Sequence, residues 1–383
     1  MTIYFDNAAT SWPKPDSVIE AMIHFNENIG SNPGRSGHSR SVEAGQVLFA
    51  AREASARLFG IKDPLRIILT ANVTHSLNIV IRGLLKEGDH VITSSMEHNS
   101  VMRPLRYMET LGVEITTVKC NQYGETDPQD VKNAIKSNTK LIIMNHASNV
   151  TGTILPIKDI GAIAKEHGII FCIDAAQSAG VLDIDVEKMN IDILCFTGHK
   201  GLMGPMGTGG FYLNKGLESQ ISPLYCGGTG SFSEFETQPD FVPDKYEAGT
   251  LNAIGFAGLA AGINFLLETG VAEIKHKESK LTQYFLENLK ALSGVKIYNS
   301  PDLSKMTSVV SFNIDGVEPS EGAFIFDAHY SICSRAGLHC APIAHRSIGT
   351  FPVGTIRFSF GYFNSFEEID IAINALRDMV KKI

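Results

Sequence analysis

Between about residues 65 and 215, short apolar runs rich in β-branched residues alternate with segments of helical period. The runs are "RIILT", "HVITSS", "VEITTV", "KLIIMNH", "IIFCID", "ILCFTG" and "GGFYL". Strands that are apolar along their whole length are buried on both faces, and intervening helices supply the crossovers that parallel neighbours need. In "PIKDIGAIAKEHG", Ile157, Ile160, Ile163 and Ala164 make one apolar face and Gly168 follows as a stop. The pattern predicts an α/β protein whose mostly parallel seven-stranded sheet lies between helices.

After about residue 266 the pattern changes to a helix, "IKHKESKLTQYFLENLKAL", then the weaker strand runs "SVVSFNI" and "TIRFSF", then a final helix. That last helix opens on Ser365 with Glu368 three positions on, a capping-box spacing, and continues with apolar Ile369, Ile373, Leu376 and Val380. We expect a large domain over 16–266 and a smaller α+β domain built from 1–15 and 267–383.

With 383 residues, 44% of them hydrophobic, the chain has material for a large core. A formal charge of -8 without a basic block argues against nucleic-acid or anionic-membrane partners. Six cysteines show no C-x-x-C pair, which disfavours disulfide scaffolds and structural metal and suits a reducing cytoplasm. The N-terminus has no basic region followed by an apolar one, and the apolar stretch from Ala253 to Leu267 is too short and too interrupted to span a bilayer. The expectation is a soluble, unprocessed protein.

Open parallel sheets bind ligands at the carboxyl ends of their strands. His98 follows "VITSS", Asn149 follows "LIIMNH", Asp174 and Gln177 follow "IIFCI", and His199 and Lys200 follow "ILCFTG". Taken singly, such residues are caps, loop formers or solvated charges. Together, a lysine, a carboxylate and an imidazole at neighbouring strand ends are what pyridoxal phosphate chemistry requires: an amine for the aldehyde, an anion for the pyridine nitrogen, a ring to stack. Thr74, His75 and Ser76 stand between "RIIL" and a helical segment, where an anion is favoured. No P-loop or dinucleotide fingerprint occurs. Lys200 is followed and preceded closely by glycines in "TGHKGLMGPMGTGG", which points to a backbone approached at short range.

These motifs carry a resemblance. "YFDNAAT", "NPGRSGH", "MEHNS", "HASNVTGT", "IDAAQSAG", "TGHKGLMGPMGTGG", "YEAGTLNA" and "SRAGLHCAP" stand in the order seen in cysteine desulfurases, which are class V aminotransferase-like enzymes of fold type I. The resemblance implies that Lys200 bonds to pyridoxal 5'-phosphate, His98 stacks on its ring, Asp174 pairs with its ring nitrogen and Gln177 with its phenolic oxygen. It implies phosphate contacts from Thr74, His75, Thr197 and His199, with Thr250 reaching the cofactor of a neighbouring protomer in a homodimer. Asn149 and Arg357 resemble the family's substrate-carboxylate clamp, and Arg335 a second carboxylate contact or a cation near a thiol.

Cys340 selects the reaction within that family. Cys172 and Cys195 lie in apolar runs and Cys120 reads as structural, whereas Cys340 sits in "RAGLHCAPIAHR" among Arg335, His339, His345 and Arg346, cations that favour a nucleophilic thiolate. The resemblance therefore implies removal of sulfur from L-cysteine, a persulfide on Cys340, release of alanine, and transfer of sulfur to an acceptor protein or thiol. The short loop from Cys340 to Arg357 resembles the SUF-type or selenocysteine-lyase-like branch. Selenocysteine lyase, with L-selenocysteine as substrate, and another class V aminotransferase-type enzyme are the alternatives; a binding protein that kept only the fold would have had to lose Lys200, Asp174 or His98, and all are present.

Overall fold

Each of the apolar runs is a strand: β1 (Ile67–Thr70), β2 (His90–Ser94), β3 (Glu114–Val118), β4 (Thr139–Asn145), β5 (Ile170–Asp174), β6 (Ile193–Thr197) and β7 (Gly209–Leu213). In the computed structural model, which describes residues 2–34 and 37–381, they form one seven-stranded sheet of order β1-β7-β6-β5-β4-β2-β3. Arg35 and Ser36 of "NPGRSGH" lie outside the described residues. β7 runs antiparallel to β1 and β6, and the other pairings are parallel. β6 returns into β7 through the glycine-rich loop after Lys200, with no crossover helix, so that pair is free to be antiparallel. Strands β2, β5 and β6 are buried throughout and β4 from its third residue on; edge strand β3 carries glutamate and threonines on a part-exposed face, which discourages further pairing.

The chain moves outward in opposite directions from β2 and from β4, so the sheet's switch point lies between these neighbours, where a crevice opens at the carboxyl ends. His98 and Asn149 follow these two strands.

The second sheet is antiparallel, of order β10-β11-β9-β8, from β8 (Val295–Ile297), β9 (Val309–Ile314), β10 (Arg335–Gly337) and β11 (Thr355–Ser359). Its helices are Val271–Lys290, Pro319–Tyr330 and Phe366–Lys381. On β11, side chains alternate between faces. Phe358 turns into an aromatic cluster, with ring centroids 5.4 Å from Phe5, 5.5 Å from Phe285, 5.2 Å from Phe312 and 5.1 Å from Phe326. Tilted and edge-to-face contacts of this kind add to the burial of the rings. Phe5 comes from the N-terminal segment, whose Ile3 and Tyr4 pair in parallel with Ile332 and Cys333. The last helix has its capping box: Ser365 N–H donates to Glu368 Oε2 at 3.1 Å and Glu368 N–H to Ser365 Oγ at 3.3 Å.

The apolar stretch from Ala253 is a mostly buried helix, Ala253–Thr269, and among the described residues no single helix is long and apolar enough to cross a membrane. Gly262 faces the loop after Lys200: a Cβ there would lie 2.7 Å from the Leu202 carbonyl.

A similar close approach sets a test of the packing. In the helix Ile157–Glu166, a Cβ on Gly161 would stand 2.0 Å from the Met189 carbonyl, whereas one on Gly45 in the helix Ser39–Leu58 would meet nothing nearer than 3.8 Å among the described residues. Gly45→Ala should therefore stabilise the protein by about 0.5–1 kcal/mol through helix propensity, while Gly161→Ala should destabilise it by about 1–3 kcal/mol through overpacking. Opposite displacements of the urea midpoint at unchanged slope are the expected result.

Candidate active site

The carboxyl ends of β2, β4, β5 and β6 and the facing strand β11 enclose a cavity of about 510 Å³ lined by His98, Asn149, Asp174, Thr197, Lys200 and Arg357, among others. Two segments of the sheet deliver the charged pair. Asp174 closes β5, and Lys200 follows β6 by one tight turn. Asp174 Oδ1 accepts the Ala176 N–H at 2.9 Å; burial raises its pKa, and that hydrogen bond and Lys200 oppose the rise. The Lys200 amine is pushed down to about 8, chiefly by desolvation, with Asp174 opposing and the Arg357 and Arg335 guanidiniums adding to the fall.

The backbone of this turn is held by the N-terminal segment. The His199 carbonyl accepts from Ser11 N–H at 3.0 Å, Thr10 Oγ1 at 2.9 Å and Lys14 Nζ at 2.8 Å, and the Lys200 carbonyl accepts from Ser11 Oγ at 2.8 Å. The glycines serve close packing within the chain itself: a Cβ on Gly198 would lie 2.1 Å from Thr208 Oγ1, and one on Gly201 2.5 Å from the Ala179 carbonyl.

His98 caps the helix Asn99–Glu109, with Nδ1 accepting the Ser100 N–H at 3.0 Å. An accepting Nδ1 leaves the neutral ring's proton on Nε2. Desolvation, then Lys200, Arg335 and Arg357, lower the His98 pKa to about 4, so the ring is a neutral stacking surface. Ser100 Oγ lies 2.9 Å from the same Nδ1 and 2.7 Å from Thr74 Oγ1, tying the two helix starts together.

Arg357 is 1% exposed and ion-paired through Nη2 with Asp6 Oδ1 at 2.7 Å, while Nη1 donates to the Asn149 carbonyl at 3.0 Å. Its Nε is buried without a partner among the described residues. Asn149 Nδ2 donates to the His339 carbonyl at 2.8 Å, so this amide holds the loop before Cys340 as well as lining the cavity. His339 and Cys340 both have positive φ, 49° and 56°, an uncommon left-handed pair for residues with a Cβ. The Cys340 carbonyl accepts the Asn99 N–H at 2.8 Å, and Arg335 Nη2 lies 3.7 Å from the Cys340 sulfur. The exposed thiol opens on a neighbouring groove that shares Thr74, His98 and Ser100 with the cavity.

Of the residues singled out in the sequence, Thr74, His98, Asn149, Asp174, Gln177, Thr197, His199, Lys200, Arg335 and Arg357 line the cavity. His75 does not. Its N–H is taken by the N-cap Asn72 Oδ1 at 2.9 Å and its ring stacks on Tyr225 at 5.5 Å, because one residue further along the helix turns the side chain away. Thr250 is exposed and outside this chain's cavity. Gln177 Nε2 donates to the Ala8 carbonyl at 3.0 Å. Cys172 and Cys195 are buried, and Cys120 Sγ is 2.8 Å from Thr126 Oγ1.

Not legible in the sequence were Asp6, Ser100 and the strap from Thr10 to Lys14, and His339 and His345, expected as cations beside Cys340, are instead held neutral, desolvation lowering the pKa of both, that of His345 to about 4. Nor was Glu97 legible, whose buried carboxyl accepts the Asn145 N–H at 3.0 and 3.1 Å and is pushed up to about 8 by desolvation. The alternation in "TIRFSF" was the available signal for Arg357, since it puts the arginine on the face opposite Phe358.

Asp6→Ala leaves the Arg357 guanidinium buried without its counter-ion. The variant should lose about 3 kcal/mol of unfolding free energy, read as a lower thermal or urea midpoint.

Comparison with known proteins identifies the family. The family model for class-V aminotransferases matches residues 3–371. Probable cysteine desulfurases from Methanothermobacter thermautotrophicus and Pyrococcus abyssi are 34% and 37% identical, aligned over 98% and 100% of this chain and 94% and 95% of theirs. The apo structure of a cysteine desulfurase from Thermococcus onnurineus superposes with a TM-score of 0.93 at 36% identity, covering 100% of this chain and 95% of the other. On sequence and fold alike, the chain belongs to the class-V aminotransferase family.

Proposed function

We propose that this protein is a pyridoxal-phosphate-dependent cysteine desulfurase that takes the sulfur of L-cysteine onto Cys340 and releases L-alanine. The observation that carries the reading is the place of the Cys340 thiol, in contact with the cavity residue Arg335 and opening on a groove that shares a wall with the Lys200 cavity. A plain aminotransferase has no use for a nucleophile there.

The cavity's polar atoms suit the cofactor. Among the described residues, Thr197 Oγ1, His199 Nδ1 and Asn149 Oδ1 are buried without partners, and the lining cations Lys200, Arg335 and Arg357 outnumber Asp174, an imbalance that favours an anionic ligand. Lys200 would hold the cofactor's aldehyde, Asp174 its ring nitrogen, Gln177 its phenolic oxygen and His98 its ring face, with Thr74, Thr197 and His199 at the phosphate. When bound, pyridoxal phosphate supplies an electron-withdrawing ring that acidifies the substrate's α-carbon.

The chain's own residues do the rest. Arg357 and the second amide hydrogen of Asn149 orient the substrate carboxylate. Lys200 Nζ, neutral above about pH 8, accepts and returns the α-proton. The Cys340 thiolate attacks the substrate sulfur: the sulfur–sulfur bond forms as the carbon–sulfur bond breaks, the carbon keeps the electron pair and is protonated, and alanine leaves. The loop beyond Cys340 contains the short helix Pro342–Ser347 and is tied by Ser347 Oγ to Ser95 Oγ at 2.8 Å, which supports the held-loop SUF-type branch. Exposed Ile19, Ile23, Val42 and Phe49 on the first two helices, with Thr250 outside its own cavity, support a homodimer with composite sites.

Two experiments test the reading. Cys340→Ser should still bind cysteine and exchange its α-proton with solvent, yet release alanine at least about a hundredfold more slowly; normal alanine release by the variant would end the desulfurase assignment. The second follows from Lys200. Only a neutral amine bonds to an aldehyde, so the rate of chromophore formation by apoprotein and pyridoxal phosphate should rise with pH through about 8 and level off above it. Because Asp174 raises the Lys200 pKa, Asp174→Ala should move that midpoint to lower pH. Borohydride reduction and peptide mapping should locate the attachment at Lys200.

A further inference from the structure

The groove on which Cys340 opens has a volume of about 480 Å³ and is walled by the helices Val73–Leu84 and Asn99–Glu109. Beyond Thr74, His98 and Ser100, it is lined by Asn78, Arg82, Arg103 and Tyr107. Two features of this lining have no part in the chemistry described above. Arg106 on the same helix is paired with Glu109 at 2.8 Å, but among the described residues no carboxylate lies within ion-pair distance of Arg82 or Arg103. The Arg82 guanidinium lies over the Tyr107 ring, 4.8 Å from its centroid, a contact that orients the group while leaving its N–H edge free to donate. The helices thus present two cations, one of them oriented by an aromatic face, beside the exposed sulfur, and among the described residues lining the groove there is no carboxylate.

We propose that this groove is the binding site for the sulfur acceptor, and that the acceptor is a small thiol carrying one or more carboxylates, held by Arg82 and Arg103 with its sulfur toward Cys340. The inference rests on the desulfurase reading. A volume of this size fits a small molecule, and paired guanidiniums favour carboxylates through their planar forks. The transfer is balanced. The acceptor thiolate attacks the outer sulfur of the Cys340 persulfide, a new sulfur–sulfur bond forms, the bond to Cys340 breaks, and Cys340 leaves as the thiolate that began the cycle. No oxidant or reductant is consumed. Cavity and groove adjoin along Thr74, His98 and Ser100, with the thiol on the groove side and Arg335 reaching it from the cavity, so substrate and acceptor occupy separate spaces and neither has to leave before the other binds.

The test is steady-state alanine release by the holoenzyme with 3-mercaptopropionate, 2-mercaptoethanol or cysteamine as acceptor, compared at equal thiolate concentration. The first-turnover burst of alanine is recorded separately, since it needs no acceptor. The anionic thiol should have an apparent KM about tenfold below that of the neutral one, an advantage that shrinks as salt is raised. Arg82→Ala with Arg103→Ala should bring the ratio to about one. Arg103→Glu should reverse the order and favour cysteamine, a gain that misfolding cannot imitate. Equal responses of the wild-type enzyme to all three thiols, stimulation by an acidic protein alone, or an unchanged preference in Arg103→Glu would overturn the proposal while the burst persisted. Absence of the burst would instead remove the desulfurase reading, and this inference with it.

Discussion

The site depends on one buried charge. Arg357 is carried by the small sheet into the crevice of the large one, and its guanidinium is shared between Asp6 of the N-terminal segment and the carbonyl of Asn149 beyond β4. A cation so deeply buried is tolerated only where it is paired and hydrogen-bonded, so three distant parts of the chain must come together for the fold to be stable. Phe358, its neighbour on β11, is fixed from the other face by four aromatic rings. Rigidity on one side of the strand is thereby converted into a fixed position for the functional group on the other.

Burial around that arginine sets the protonation states that the chemistry needs. Desolvation and neighbouring cations keep His98 neutral, and the same causes bring the Lys200 amine toward neutrality near physiological pH. Asp174 opposes that fall, while burial raises its own pKa. A ring, a base and an anion within one crevice thus differ in charge state because each has different company. Glu97, buried beneath β4 and hydrogen-bonded to the Asn145 N–H, belongs to the frame that holds His98 and not to the reacting groups.

Cys340 is positioned by its backbone. Two consecutive left-handed residues turn the thiol outward, and hydrogen bonds from Asn149 to the His339 carbonyl and from Asn99 to the Cys340 carbonyl keep them so. Such strain persists only where the surroundings over-determine it. The consequence is a sulfur that touches a cavity residue while facing an open, cationic groove, as a relay between two ligands must.

Much of this was legible in the chain itself. The β-branched runs specified seven strands because strands buried on both faces admit little polar substitution, and the strand-end positions of His98, Asp174 and Lys200 followed because parallel sheets present those ends to one crevice. The motif order carried the family. The pattern was silent on partners distant in sequence. Asp6 opposite Arg357, the strap from Thr10 to Lys14 on the carbonyls of His199 and Lys200, and the turning away of His75 toward Tyr225 all depend on packing between segments far apart along the chain. Local periodicity reports which face of an element is buried, but which charge meets which, and which side of a thiol is open, is decided only when the two sheets close on each other.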